Sequence, residues 1–306
     1  MSSPLMKVGT GRVGTLTPEQ ETILSQFKAK LQETGYWNEE RHDDHMLLRF
    51  LRARKFILED AYTMIKNYED WRKEIDLENL VRTFQIPHAD DVAKLYPRFY
   101  HNIDKQARPI YIEQLGKVNL PALTNLLGEE GATAADKQQQ TLDIMLKHFA
   151  VGYENLLNGR FPACSKVAGK HVDQCFTILD IKDVGLGQIS TVLPFIKATS
   201  KIAQDYYPEM MGKMFIINAP FLFRGTWSLV KGFLDPVTQS KINILGGSYQ
   251  KELLAEIEAS HLPKSYGGTC ECANGCDMSD VGPWPRQSVN TPNFAETTLQ
   301  ENQESS

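Results

Sequence analysis

The chain has 306 residues, 33 basic and 38 acidic side chains and a formal net charge of −5, which disfavours wholesale nucleic-acid binding. No apolar run reaches the roughly 18 residues of a membrane span, and the first residues lack the apolar core of a secretory signal. Five cysteines, an odd number, without such a signal fit a reducing compartment, so a cytoplasmic protein is expected.

Residues 1–16 read as a disordered head. Gly9-Thr-Gly11-Arg-Val-Gly14 matches the dinucleotide fingerprint, but that motif needs a strand before it, and eight preceding residues cannot supply one with its sheet. Thr17-Pro18-Glu19-Gln20 carries a capping box with proline at the first helical position, and Leu24, Phe27 and Leu31 then keep one face apolar. Asp43 or Asp44 opens a second helix, bearing Arg49, Arg52, Arg54 and Lys55. That cluster reads first as a solvated face, with attraction to an anionic lipid surface as the sharper alternative. Further helices are expected over 58–74 and 77–84, giving an N-terminal helical region over 17–86.

The pattern then changes to alternating strands and helices. Phe99-Tyr-His101 and Ile110-Tyr-Ile112 flank the polar turn Asp104-Lys-Gln106, which reads as a hairpin. Residues 117–133 form a loop or short helix, followed by a long helix over about 135–157. Strands at 175–181, 214–217 and 242–245, separated by helices at 187–206 and 222–234 and closed by one at 249–257, imply a largely parallel α/β sheet with a mixed edge. The polar stretch from about Ser279 reads as disordered.

Few motifs carry chemistry. Gly185-Leu-Gly187 follows a strand and precedes a helix, but Ser190 stands where the third fingerprint glycine belongs, which leaves a dinucleotide-dependent enzyme as a remote alternative. Cys270, Cys272 and Cys276 lie within seven residues. Zinc normally takes four ligands, only the second pair has a usual spacing, and the nearest preceding histidine is His261. A thiol-rich linker is therefore preferred and no metal is assigned. Tyr100, Tyr111 and Tyr153 read as core or edge aromatics, although grouped tyrosines also hold quaternary ammonium ions. No nucleophile–base pair stands out. Met214–Lys241 is distinctive: a buried strand, a break at Asn218-Ala-Pro220, and then an apolar segment whose only charges are Arg224 and Lys231 before Asp235-Pro236. Such a segment is a core helix or the lid of an apolar cavity.

Several runs together resemble one family: Leu47-Leu-Arg-Phe-Leu-Arg-Ala-Arg-Lys-Phe56, Tyr206-Tyr-Pro-Glu-Met-Met-Gly-Lys213, Ile216-Ile-Asn-Ala-Pro220, Phe233-Leu-Asp-Pro-Val-Thr-Gln-Ser-Lys241 and Leu262-Pro-Lys-Ser-Tyr-Gly-Gly268. They resemble the CRAL-TRIO (Sec-fourteen-like) lipid-binding family, and within it the fungal phosphatidylinositol/phosphatidylcholine transfer proteins, as does Asp280-Val-Gly-Pro-Trp284. The resemblance implies a non-enzymatic lipid carrier without cofactor. Its N-terminal helical bundle packs on a lipid-binding domain over 87–275, where a mostly parallel mixed sheet floors a hydrophobic pocket gated by a helix; a partly disordered tail covers 276–306.

The resemblance also assigns sites. Phe221, Phe223, Trp227, Val230, Phe233 and Leu234 form the gate. Arg54, Glu209, Asp235, Thr238 and Lys241 meet the phosphatidylinositol headgroup, and Tyr100, Tyr111, Tyr153, Cys175 and Thr177 meet phosphatidylcholine. Cys175 replaces a serine of relatives, a weaker donor, and Met210 stands where an arginine is frequent. The implied partners are the two lipids, transient membrane contact on the Golgi or other internal membranes, and a phosphatidylinositol kinase to which lipid is presented. A carrier of another hydrophobe, such as a sterol or squalene, is the alternative.

Overall fold

The computed structural model describes residues 10–285 except 221–222, 224–226, 228–230, 233 and 235, and only the backbone for 186–193. The chain forms two compact units: one runs through Asp76 and takes in Ile202–Glu209, and the other holds Leu77–Lys201 and the chain from Met210 onward.

The first unit contains α1 (Pro18–Glu33), α2 (Asp44–Ala53) and α3 (Leu58–Glu74). The capping box is present: Gln20 N donates to Thr17 Oγ1 at 3.2 Å, and Thr17 N donates to Gln20 Oε1 at 3.1 Å. Leu24, Phe27, Leu31, Leu47, Phe50, Ile65 and Tyr68 make the core, each buried. Tyr207 meets Tyr68 edge-on and Tyr206 stacks on Trp71 at 4.1 Å. Two expectations are corrected here. Residues 10–16 of the expected disordered head carry a turn, Thr15 N to Arg12 O, and Arg52 Nη1 donates to Gly11 O at 2.9 Å. Gly11 sits at φ +69°, and a Cβ there would strike the Phe56 ring at 2.9 Å. Nor is the arginine cluster a solvated face, since Arg49 is 4% exposed and Arg52 lies 3.9 Å from Glu209.

Glu69 is buried between Arg41 and His42, whose Nε2 lies 2.9 Å from its carboxylate. Burial alone would raise the Glu69 pKa, but the His42 hydrogen bond and the Arg41 charge outweigh it and hold the pKa below the usual glutamate value of 4.5. A depressed carboxylate stabilises the fold fully above its unfolded pKa, and this contribution is lost as pH falls through the folded one. Melting temperature should therefore drop on acidification below about 4.5. Glu69→Gln should lower it at neutral pH and flatten that dependence; an unchanged acid slope would refute this assignment.

The second unit holds α4 (Leu77–Thr83), α5 (Ala89–Leu95), α6 (Leu120–Leu127), α7 (Ala134–Asn155), α8 (Phe161–Ala168), most of α9 (Leu186–Asp205), α10 (Pro236–Ser240) and α11 (Gln250–Glu256). Its sheet is β1 (Arg98–Ile103), β2 (Pro109–Gln114), β3 (Cys175–Asp180), β4 (Met211–Ile217) and β5 (Ile242–Ile244), in that spatial order. β1 and β2 are antiparallel and the other pairs parallel, the mixed sheet expected from the hairpin and the strand–helix alternation. The hairpin turn is held by Asp104, whose carboxylate accepts from the backbone of Gln106 and Arg108 and from Arg108 Nε at 2.6 Å.

Some elements differ from the sequence reading. The long helix does not end near Leu157 but continues through one π turn (Leu156–Arg160) into α8. Pro162 has no N–H to give the preceding turn, and a widened turn keeps the chain helical across it. The short α5 has no counterpart in the sequence reading, and α4 packs on α7 rather than grouping with α1–α3.

Candidate lipid site

Strand alternation sorts the sheet into two faces. One carries Ile110, Ile112, Phe176, Ile178, Phe215 and Ile217, sealed by Tyr249, Leu253, Ile257, Leu262 and Tyr266 into a dry core. On the other face the register aligns Tyr100 with Tyr111, Tyr111 with Thr177 and Thr177 with Met214. Cys175 and Glu113 stand two positions along the same face.

The tyrosines converge. The Tyr100 and Tyr111 ring centroids are 5.2 Å apart, and Tyr153 from α7 is near enough to both to perturb their ionisation. Burial pushes the pKa of all three phenols upward, with the Cys175 thiol adding to the effect on Tyr100 and Tyr153. Yet all three keep part of their surface accessible. Each ring is half-buried, so the three line accessible space over this face of the sheet. Burial also raises the Cys175 pKa, keeping it a neutral, weak donor. Thr177 is 7% exposed beside it.

The sequence reading did not assign two polar groups that frame this space. Glu113 accepts from Tyr96 Oη and, at 3.3 Å, from Tyr111 Oη, while Arg98 stands opposite Glu113 in the β1–β2 register. Burial raises the Glu113 pKa, opposed by the Tyr96 hydrogen bond and the Arg98 charge. Arg160, on the π turn, lies 4.2 Å from the Tyr100 ring centroid and pairs with Asp280 at 3.0 Å; Trp284 is 3% exposed and meets Tyr100 edge-on. Residues 280–284 thus form part of this wall rather than a disordered tail. Period-two counting reaches Arg98 and Glu113 from the tyrosines, whereas nothing local marks Arg160.

Of the expected gate, Phe223 and Trp227 occupy helical positions with ring centroids 6.5 Å apart. Phe223 is buried against Ile181 and Ile216, and Met214, Ile242 and Ile244 extend the apolar surface around it. Leu234 is half-buried; Phe221, Val230, Phe233 and Asp235 lie outside the described residues. Thr238 in α10 and Lys241 after it are half-buried and joined by Lys241 N to Thr238 O, while Lys241 O accepts from Met214 N at 3.0 Å. Arg54, at the C-cap of α2, and Glu209, at φ +64°, belong to the first unit.

An α/β sheet with one sealed face and one face carrying clustered, accessible tyrosines, beside an apolar surface on which Phe223 packs, fits a lipid-binding domain. A family profile described as "CRAL/TRIO domain" matches residues 93–268 and one described as "CRAL/TRIO, N-terminal domain" matches 23–67, so the chain belongs to the CRAL/TRIO family. It is similar to the "Sec14 cytosolic factor" of Schizosaccharomyces pombe, 43% identical over 90% of this chain and 91% of that protein. It is also similar to the "SEC14 cytosolic factor" of Kluyveromyces lactis, 45% identical over 90% and 87%. The Arabidopsis thaliana "Phosphatidylinositol/phosphatidylcholine transfer protein SFH12" is 42% identical over 82% of this chain and 44% of its own length. These names describe cytosolic factors and lipid transfer, not catalysis. The crystal structure of Sfh5 shares the fold, with a TM-score of 0.63 at 15% identity over 94% of this chain and 98% of that one.

Proposed function

We propose that the chain binds phosphatidylinositol and phosphatidylcholine and exchanges them between membranes. The observation that carries this reading is the convergence of Tyr100, Tyr111 and Tyr153 beside Cys175 and Thr177 on the sheet face opposite the sealed core. A lipid with about 30 buried methylenes at ~0.8 kcal/mol each loses on the order of 24 kcal/mol on leaving a bilayer. An apolar cavity makes the exchange nearly neutral, so the remaining requirement is a cover that opens at the membrane. Phe223 and Trp227 supply apolar cover and the exposed Lys231 a cation for anionic headgroups. The tyrosine faces attract the choline cation. Thr238 donates a hydroxyl hydrogen bond and Lys241 a charge-assisted one to the inositol-lipid phosphate. Arg54, Glu209 and Asp235 are assigned to phosphatidylinositol by resemblance alone. The protein works in the cytoplasm, touching Golgi or other internal membranes transiently and presenting phosphatidylinositol to a lipid kinase.

Mass spectrometry of lipid extracted from the purified protein tests this reading. Phosphatidylinositol and phosphatidylcholine are expected; a sterol or squalene in their place would overturn it. Cys175→Ser should raise phosphatidylcholine occupancy about threefold, since a hydroxyl-for-thiol donor gains of order 0.5–1 kcal/mol. Unchanged occupancy would show that the thiol is not limiting.

A further inference from the structure

On β1 the residue after Tyr100 is His101, which strand alternation turns away from the lipid face. It is fully buried, and its Nε2 has no hydrogen-bond partner. Buried polar atoms are almost always satisfied, so this nitrogen calls for an explanation. Cys270, Cys272 and Cys276 lie beside the same imidazole: taking one ligand atom from each of the four residues, all lie within 4.8 Å of one another.

The spacing matches a metal's. Four ligands around zinc with Zn–S near 2.3 Å set sulfur atoms about 3.8 Å apart in a tetrahedron. Cys270 Sγ and Cys272 Sγ are 3.8 Å apart, nearly twice a disulfide bond length. The backbone holds this arrangement independently of the thiols. Cys270 N donates to Leu262 O at 3.1 Å and Lys264 N to Cys270 O at 3.0 Å. Gly275 N closes a turn on Cys272 O at 2.9 Å, bringing Cys276 back beside Cys272. Gly275 sits at φ +84°, and a Cβ there would lie 2.7 Å from Asp277 Oδ1. Ser279 Oγ donates to Cys276 O at 3.0 Å and lies 3.3 Å from His101 Nδ1. The serine oxygen can accept a hydrogen bond from Nδ1–H, which leaves the Nε2 lone pair available, as an outer-shell partner does for a ligating histidine.

We propose that His101, Cys270, Cys272 and Cys276 bind one Zn²⁺ in a closed structural site. Three thiols and an imidazole select zinc over the oxygen-seeking divalent ions. A bound divalent ion would stabilise the three cysteines as thiolates. The metal joins β1 to the segment carrying Asp280 and Trp284, and Val281 O already accepts from Asn102 N in that junction. The sequence reading assigned no metal because the fourth ligand lies far upstream on another element.

The test uses the untagged full chain purified under reducing conditions, with metal content measured by inductively coupled plasma mass spectrometry. One zinc per chain is expected, falling below a tenth in Cys270→Ser and in His101→Ala and unchanged in Cys164→Ala. To separate loss of a ligand from loss of the fold, wild-type protein stripped by chelator is also titrated with Co²⁺, which should give the visible absorption of a tetrahedral thiolate site and be displaced by one equivalent of Zn²⁺. Ser279→Ala should keep the site and weaken it roughly 10- to 100-fold. Metal-free purified protein whose reduced form takes up neither Zn²⁺ nor Co²⁺ would overturn the proposal, as would full zinc retention in both Cys270→Ser and His101→Ala.

Discussion

Arg160→Ala is expected to destabilise the protein by about 1.5–3 kcal/mol, the usual contribution of hydrogen bonds to a charged group, because the Asp280 carboxylate left behind is only partly buried. Arg160 is 6% exposed, and its guanidinium pairs with Asp280 while lying against the rings of Tyr100 and Trp284. Its loss leaves Asp280 without its cation, although the Trp284 Nε1 donor remains at 3.2 Å. At about 2–4 °C per kcal/mol for a chain of this size, the melting temperature should fall by roughly 6 °C. Asp280→Ala in the same background should add little, because the two residues act as one unit. Phosphatidylcholine binding should fall with Arg160→Ala, since Tyr100 loses the group behind its ring. A melting temperature within 2 °C of wild type, on the same scale, would show the pair to be dispensable.

Lys241→Ala should reduce phosphatidylinositol transfer between vesicles about tenfold or more while leaving phosphatidylcholine transfer near wild type. A charge-assisted hydrogen bond to phosphate contributes ~1.5–3 kcal/mol, and 1.4 kcal/mol is a factor of ten. The Lys241 backbone carbonyl accepts from Met214 N at the β4–β5 junction, a bond that Lys241→Ala keeps. Equal loss of both activities would remove the headgroup assignment. Lys241→Arg should restore part of the phosphatidylinositol activity because it keeps the charge but changes the donor geometry.

Local sequence signals were informative where one element decided its own structure. The Thr17–Gln20 capping box, the turn at Asp104 and the strand at Cys175–Asp180 depend on neighbours within a few residues, and each appears as expected. The order of strands and intervening helices gave the sheet its mixed character. The continuation of α7 into α8 escaped that approach because a π turn shifts the helical register ahead of Pro162 and absorbs its missing donor. Arg49 and Arg52 read as surface charges because helix periodicity does not reveal what covers a face; Gly11 and Glu209, distant in the chain, both contact Arg52.

The sequence by itself determined the family, the alternation that puts Tyr111 and Thr177 on one face, and the apolar character of the segment after Pro220. These follow from side-chain type and spacing along one element. Only the tertiary structure decided that Tyr153 joins Tyr100 beside Cys175, that Arg160 meets Asp280, and that His101 faces three cysteines near the other end of the chain. Those juxtapositions depend on how β1, α7 and the segment after Gly268 pack together. Long-range contacts of this kind leave no periodic mark in the chain, because the residues that meet are separated by whole elements whose lengths and turns set their final positions.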